Sequence, residues 1–184
     1  MSSQPTVATL RLVLRPFTAN DAPTVQKLAG APEVADTTLT IPHPYVDGMA
    51  ETWIATHGPS WDAGTLATFA ITLQSQLVGA VGLKVELPHG RGELGYWVGR
   101  PYWGQGIATE AAMAVIRLGF TTLALSRIQA MHLTRNPASG RVLQKAGMVL
   151  EAVHRGYIRK NGRLEDVARY AALRDEWLRI AGAA

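Results

Sequence analysis

The stretch from Glu93 to Phe120, ELGYWVGRPYWGQGIATEAAMAVIRLGF, decides how the rest of the chain is arranged. It reads as a strand, a glycine loop and a long helix. Leu94, Tyr96 and Val98 alternate with Glu93, Gly95 and Trp97, the period of a half-buried strand. Pro101 stops that strand, and Gly104-Gln105-Gly106 leaves main-chain amides uncovered by side chains. From Ile107 to Phe120 there is no proline and Arg117 is the only basic residue, which predicts a mostly buried helix. Free N–H groups and the helix dipole then point at one spot, and the backbone itself becomes an anion site.

The surroundings are those of an ordinary globular protein. The chain has 184 residues, 47% hydrophobic and 17% charged, enough for one domain over 1–184 with a full core. No apolar run approaches the roughly 18 residues of a membrane helix, and MSSQPTVATL lacks the basic start and apolar stretch of a signal peptide. Cysteine is absent, which removes disulfides and thiol chemistry and points to a reducing cytoplasm. The net charge of +4 is unevenly placed: residues 1–90 hold four Lys and Arg against seven Asp and Glu, and residues 91–184 hold fourteen against seven. A basic half that contains the glycine loop suits an anionic ligand. Nucleic acid fits poorly, because no basic run is interleaved with aromatics and no helix-turn-helix or zinc signature is present.

Working outward, Leu10 to Arg15 predicts a first strand ended by Pro16, and Asn20 or Asp21 can cap a helix through Leu28. Gly30 to Pro44 holds three prolines and reads as a loop or broken helix. Asp47 starts a second helix with Met49, Trp53 and Ile54 on one apolar face. Leu66 to Leu73, Leu77 to Leu87 and the Glu93 strand form an antiparallel meander through short turns. After the long helix come a strand from Arg127 to Leu133, a helix from Asn136 to Ala146 stopped by Gly147, and strands Met148 to Ile158 and Leu164 to Leu173 joined at Asn161-Gly162. The tail from Asp175 to Ile180 allows one or two helical turns. The long helix must return its next strand parallel to the Glu93 strand.

Two nucleotide motifs fail on the residues. A dinucleotide fingerprint needs a third glycine where Thr109 stands and an acid closing the next strand, which ends instead in His132 and Leu133. A P-loop needs Gly-Lys-Ser/Thr, and none exists. The five histidines share no metal-site spacing with each other or with carboxylates.

Tyr96-Trp97-Val98, Trp103 to Ala111, Asn136-Pro137-Ala138-Ser139 and Lys145-Ala146-Gly147-Met148 together resemble the GNAT superfamily of acyl-CoA N-acyltransferases. Leu12 to Pro16, Asn161-Gly162-Arg163 and Asp166 bring the resemblance closest to its ribosomal-protein N-terminal acetyltransferase branch, over nearly the whole chain. The resemblance implies a mixed α+β fold: a central, mostly antiparallel sheet of about seven strands, splayed between two parallel strands, with helices on both faces. It implies acetyl-CoA as cosubstrate and no metal. The pantetheine arm would pair with the backbone of Trp97 and Val98, and the pyrophosphate would rest on amides from Gly104 through Ala108. Arg100, Trp103, Gln105, Ile107, Thr109, Asn136, Ser139 and Lys145 complete the implied cofactor site.

There are two departures. Trp103 stands where Arg or Gln is usual, in a place where the contact is through the backbone. Leu143 stands where many members carry the Tyr that protonates the leaving thiolate, and Ser139, one turn earlier on the same helix face, is the nearest replacement. Acetyl transfer also requires an amine to lose its proton. Glu93 is the candidate base, directly or through water, sharing a strand face with Gly95, whose missing side chain leaves room for an acceptor. Its alternative role is pairing with Arg91. Trp53, Trp61 and Tyr45 are candidates for lining that acceptor pocket, and the Val98 amide can hold the oxyanion. The expected partners are acetyl-CoA and either a protein N-terminus or a small amine, in a monomer or homodimer. A non-catalytic acyl-CoA sensor is the rival from another class.

Overall fold

Eight strands join into one sheet in the computed structural model, which describes residues 3–181. They are β1 (Val7–Ala8), β2 (Leu12–Arg15), β3 (Leu66–Leu73), β4 (Gln76–Glu86), β5 (Arg91–Val98), β6 (Arg127–Leu133), β7 (Val149–Lys160) and β8 (Arg163–Leu173). The helices are α1 (Ala22–Ala29), α2 (Pro32–Thr37), α3 (Met49–Ala55), α4 (His57–Asp62), α5 (Ile107–Thr121), α6 (Pro137–Lys145) and α7 (Arg174–Ala181). The strand order is β1-β2-β3-β4-β5-β6-β8-β7. Every neighbouring pair is antiparallel except β5 and β6. The fold is therefore the mixed sheet that the motif order implied, with β1 as an added strand. Two residues are too few to show alternation, and β1 exists because Val7 and Ala8 pair with Leu14 and Val13.

The parallel pair is incomplete, and this is what creates the site. Pairing runs from Arg91↔Arg127 to Leu94↔Ala130 and stops. Beyond it β5 continues to Val98 on β4, with Val98 opposite Gly79, while β6 continues to Leu133 on β8. The two strands diverge like the legs of a V.

Both faces of β5 are covered near the mouth of the V, which corrects the half-buried expectation. Leu94 and Val98 join the cluster under α5 with Ile107, Val115, Ile116 and Phe120. Trp97 points the other way, into a second cluster with Val25 and Leu28 of α1 and Ile54 of α3. Each such side chain, fully buried, stabilises the fold by roughly 1.5–3 kcal/mol. Helix α5 lies close because Ala111, Ala112 and Gly119 are its small buried positions.

The segment 30–44 divides into α2 and an irregular run after it. Pro32 sits in the first turn, where its missing N–H costs nothing, and Val34 and Ala35 are buried. Six residues are too short for a visible period. The helix expected from Asp47 starts at Met49, behind Gly48 at φ 84°, and breaks at Thr56 into α4. Trp61 of α4 is core, and Tyr45 packs against the α1 cluster. The ends of the domain expected over 1–184, residues 1–2 and 182–184, lie outside the described residues.

Candidate active site

The loop before α5 is held open by its two glycines and braced from the N-terminal hairpin. Gly104 and Gly106 adopt φ of 75° and 78°, a left-handed backbone that side chains disfavour. Gly106 is the N-cap of α5 and supplies no capping side chain, so the amides of Ile107, Ala108 and Thr109 keep their free direction. Arg11 donates from Nη1 to the Gln105 carbonyl (3.0 Å) and from Nε to Glu110 (2.8 Å). Thr9 Oγ1 and the Arg11 main-chain N–H also donate to Glu110, at 2.7 and 2.8 Å. Burial opposes ionisation of Glu110, but these donors outweigh it and hold its carboxyl below the usual range.

A cavity of about 500 Å³ runs from this loop into the V. Along β5, the bond from Gly99 N–H to the Val78 carbonyl (2.9 Å) marks a hydrogen-bonded pair. Antiparallel alternation then turns the main chain of Trp97 toward β4 and those of Tyr96 and Val98 toward the gap. The main chain open to the gap is therefore that of Tyr96 and Val98, while that of Trp97 is taken up by β4. The Val98 carbonyl already accepts from Trp103 Nε1 at 2.6 Å. The indole thus ties the glycine loop back to the strand end, a task no Arg or Gln was needed for.

Helix α6 forms the other wall. Asn136 is its N-cap: its Oδ1 accepts from the Ser139 N–H (3.3 Å), and its Nδ2 donates to the Thr37 carbonyl (3.2 Å), joining α6 to the end of α2. Ser139 Oγ lies 2.7 Å from the phenol oxygen of Tyr96, which also lies 3.2 Å from the Ser139 carbonyl. Burial pushes the Tyr96 phenol up to about 12, with Ser139 pulling it down and Tyr170 adding to the rise. Leu143 is buried in the core and offers no proton. His132 is also buried, its Nδ1 2.7 Å from the Leu133 carbonyl, and its Nε2 has no hydrogen-bond partner among the described residues.

Glu93 lies on the opposite face of β5. It lines a smaller cavity of about 150 Å³ with Gly95, Trp53 and Lys84, and Tyr96 and Trp97 border both cavities. Gln129 Nε2 approaches its carboxylate at 3.5 Å. Arg91 binds Glu86 instead, at 2.6 Å. A Cβ at Gly95 would meet nothing within 4 Å, so the strand is bare beside Glu93.

The large cavity gathers Trp97, Val98, Trp103, Gly104, Gly106, Ile107, Ala108, Thr109, Asn136, Ser139 and Lys145. It does not include Arg100, which pairs with Glu33 of α2, or Gln105, whose side chain turns back to the Pro101 carbonyl at 3.2 Å. Of the three aromatics expected at the acceptor pocket, Trp53 reaches the Glu93 cavity; Trp61 and Tyr45 do not. The sequence reading missed Tyr96 as the partner of Ser139 and Arg11 with Glu110 as the brace of the loop. It also missed Arg135, which grips Asp36 (2.7 Å) and Glu165 (3.0 Å) beside the cavity. A motif shows neighbours in sequence, and Arg11 and Glu110 are far apart in it.

Comparison with known proteins agrees with this geometry. Residues 11–149 match the family described as the acetyltransferase (GNAT) domain. The N-acetyltransferase p20 of Bacillus licheniformis is 31% identical over 94% of this chain and 98% of its own length. The FsC-acetyl coenzyme A-N(2)-transacetylase of Aspergillus fumigatus is 31% identical over 98% of this chain and 81% of its own length. Among solved structures, RimL, a ribosomal L7/L12 alpha-N-protein acetyltransferase in complex with coenzyme A, superposes with a TM-score of 0.86 at 18% identity, covering 94% of this chain and 99% of that one. The splayed sheet, the uncapped α5 and these matches agree: the chain belongs to the GNAT acetyltransferase family and is an N-acetyltransferase.

Proposed function

We propose that the chain moves the acetyl group of acetyl-CoA to the α-amine of a protein N-terminus. The observation that carries the donor half is the uncapped start of α5 opening into the V between β5 and β6. The diphosphate sits on amides from Gly104 to Ala108, and the pantetheine arm follows β5 inward to Ser139. RimL, whose structure holds coenzyme A, shares this architecture.

The amine nitrogen attacks the thioester carbon from the Glu93 side, over the bare main chain of Gly95. Glu93 takes the amine proton, directly or through a water. The Val98 N–H, turned toward the gap, donates to the oxyanion. The C–S bond then breaks, its electron pair leaves on sulfur, and Ser139 donates a hydrogen bond to the thiolate. The proton lost by the amine ends on the thiol. One domain carries all these groups, and its cysteine-free composition suits a cytoplasmic setting.

Small amines form the second reading. The fungal relative, named an FsC-acetyl coenzyme A-N(2)-transacetylase, favours it. The two readings separate when thiol release is followed across peptides with free N-termini and across polyamines, amino acids and amine-bearing antibiotics. Turnover confined to peptides supports the first, turnover confined to small amines replaces it, and thiol release with neither would overturn amine acetylation.

A further inference from the structure

Ser139 has one hydroxyl proton and two positions competing for it. The first turn of α6 already has its cap, since Asn136 Oδ1 takes the Ser139 N–H. The hydroxyl is therefore not needed to start the helix. Its partner lies across the cavity floor on β5: the Tyr96 oxygen, 2.7 Å from Ser139 Oγ and 3.2 Å from the Ser139 carbonyl.

Two arrangements satisfy these distances. In one, Ser139 donates to Tyr96 and Tyr96 donates to the carbonyl, which spends the serine proton inward. In the other, Tyr96 donates to Ser139 Oγ, and the serine proton is free to point outward. A carbonyl accepts and never donates, so only the tyrosine proton chooses between them. The 2.7 Å contact has the ordinary length of a good O–H···O bond and the 3.2 Å one does not. The Ser139 carbonyl also lies inside α6, where the helix ladder supplies it with a donor. The second arrangement is the better satisfied one.

We infer that Tyr96 is a positioning residue: its phenol donates to Ser139 Oγ and turns the Ser139 hydroxyl proton toward the sulfur that leaves the acetyl group. The inference rests on the acetyl-CoA site proposed above. It gives the chain, from strand β5, a phenol at a place where Leu143 of α6 can offer none. Tyr96 keeps its own proton throughout; no bond to it forms or breaks. Its buried phenol resists ionisation, which keeps it a donor over the working range. The other titratable groups around the pair are Tyr170 of β8, His132 of β6, and Arg141 and Lys145 of α6.

The test uses Tyr96→Phe, Ser139→Ala and the double variant of the full chain, each checked by thermal melting. In steady-state assays Tyr96→Phe should lower kcat about tenfold, with the acetyl-CoA KM held within about twofold. The double variant should match Ser139→Ala within about twofold, because both losses remove one hydrogen bond to sulfur. The second readout needs no acceptor. The thiol of bound coenzyme A, followed by NMR at the carbon beside its sulfur, should ionise at lower pH on the wild-type protein than on either single variant. A wild-type kcat in Tyr96→Phe, multiplying effects in the double variant, or an unshifted thiol titration in Tyr96→Phe would each overturn the inference. A wild-type protein that turns over no amine refutes the proposed function instead, and the thiol titration still decides the role of Tyr96.

Discussion

His57 makes a measurable prediction about acid stability. The residue is 4% exposed, its ring wedged against Trp53 (centroids 4.4 Å apart) and Phe17 (5.2 Å), and neither nitrogen finds a hydrogen-bond partner among the described residues. Burial pushes the imidazolium down from 6.5 to about 4. A group with a depressed folded value binds protons more readily when unfolded, so its contribution is intact above about pH 6.5 and is lost as pH falls toward 4. With these two values the loss reaches about 2 kcal/mol by about pH 5. Urea denaturation at a series of pH values, on wild type and His57→Phe, reads it directly. His57→Phe keeps the ring contacts and removes the titration, so the gap between the curves should open by about 2 kcal/mol between pH 7 and pH 5. Parallel curves would refute the idea that the buried imidazole is forced to stay neutral. Because Trp53 walls the Glu93 cavity, wild-type activity should fall in acid before the global unfolding midpoint.

Three further outcomes follow from the site. Gly106→Ala places a side chain at φ 78° in the loop, a strain of about 1–2 kcal/mol, and calorimetry should show acetyl-CoA affinity weakened roughly tenfold. Gly79→Ala would set a Cβ 2.3 Å from the Trp97 carbonyl and 3.0 Å from Val98 Cα; main chain cannot yield cheaply there, so the thermal midpoint should drop by the equivalent of about 1–3 kcal/mol. Glu93→Gln should lower kcat about a hundredfold, with acetyl-CoA affinity unchanged; undiminished turnover would take Glu93 out of the mechanism.

Much of this molecule is legible before its coordinates. The bounds of β3 and β6 match the strands expected over Leu66–Leu73 and Arg127–Leu133, and α5 begins where the glycine loop ends, because those elements announce themselves locally. The six residues of α2 and the two of β1 carry too few positions for a period, and their existence depends on what they touch. The site divides along the same line. Gly104 and Gly106 could be found because the requirement is conformational and sits within three residues. Arg11 with Glu110, and Tyr96 with Ser139, could not, because each pair is made by the sheet bringing distant segments together. Arg100 stands beside the glycine loop in sequence, yet its partner in the fold is Glu33 of α2, a contact no local pattern announces.

The hairpin of β1 and β2 lies at the sheet's edge, yet it reaches across the molecule to the glycine-loop end of α5. Thr9 and Arg11 converge on Glu110, while Gln4 is stapled to the Thr68 carbonyl at 2.7 Å. Removing residues 3–11 would spare the buried Leu12 and Leu14 and still take away the donors that brace Glu110 and the Gln105 carbonyl. A purification handle fused at that end needs a spacer; the far end of α7 is the safer place for one.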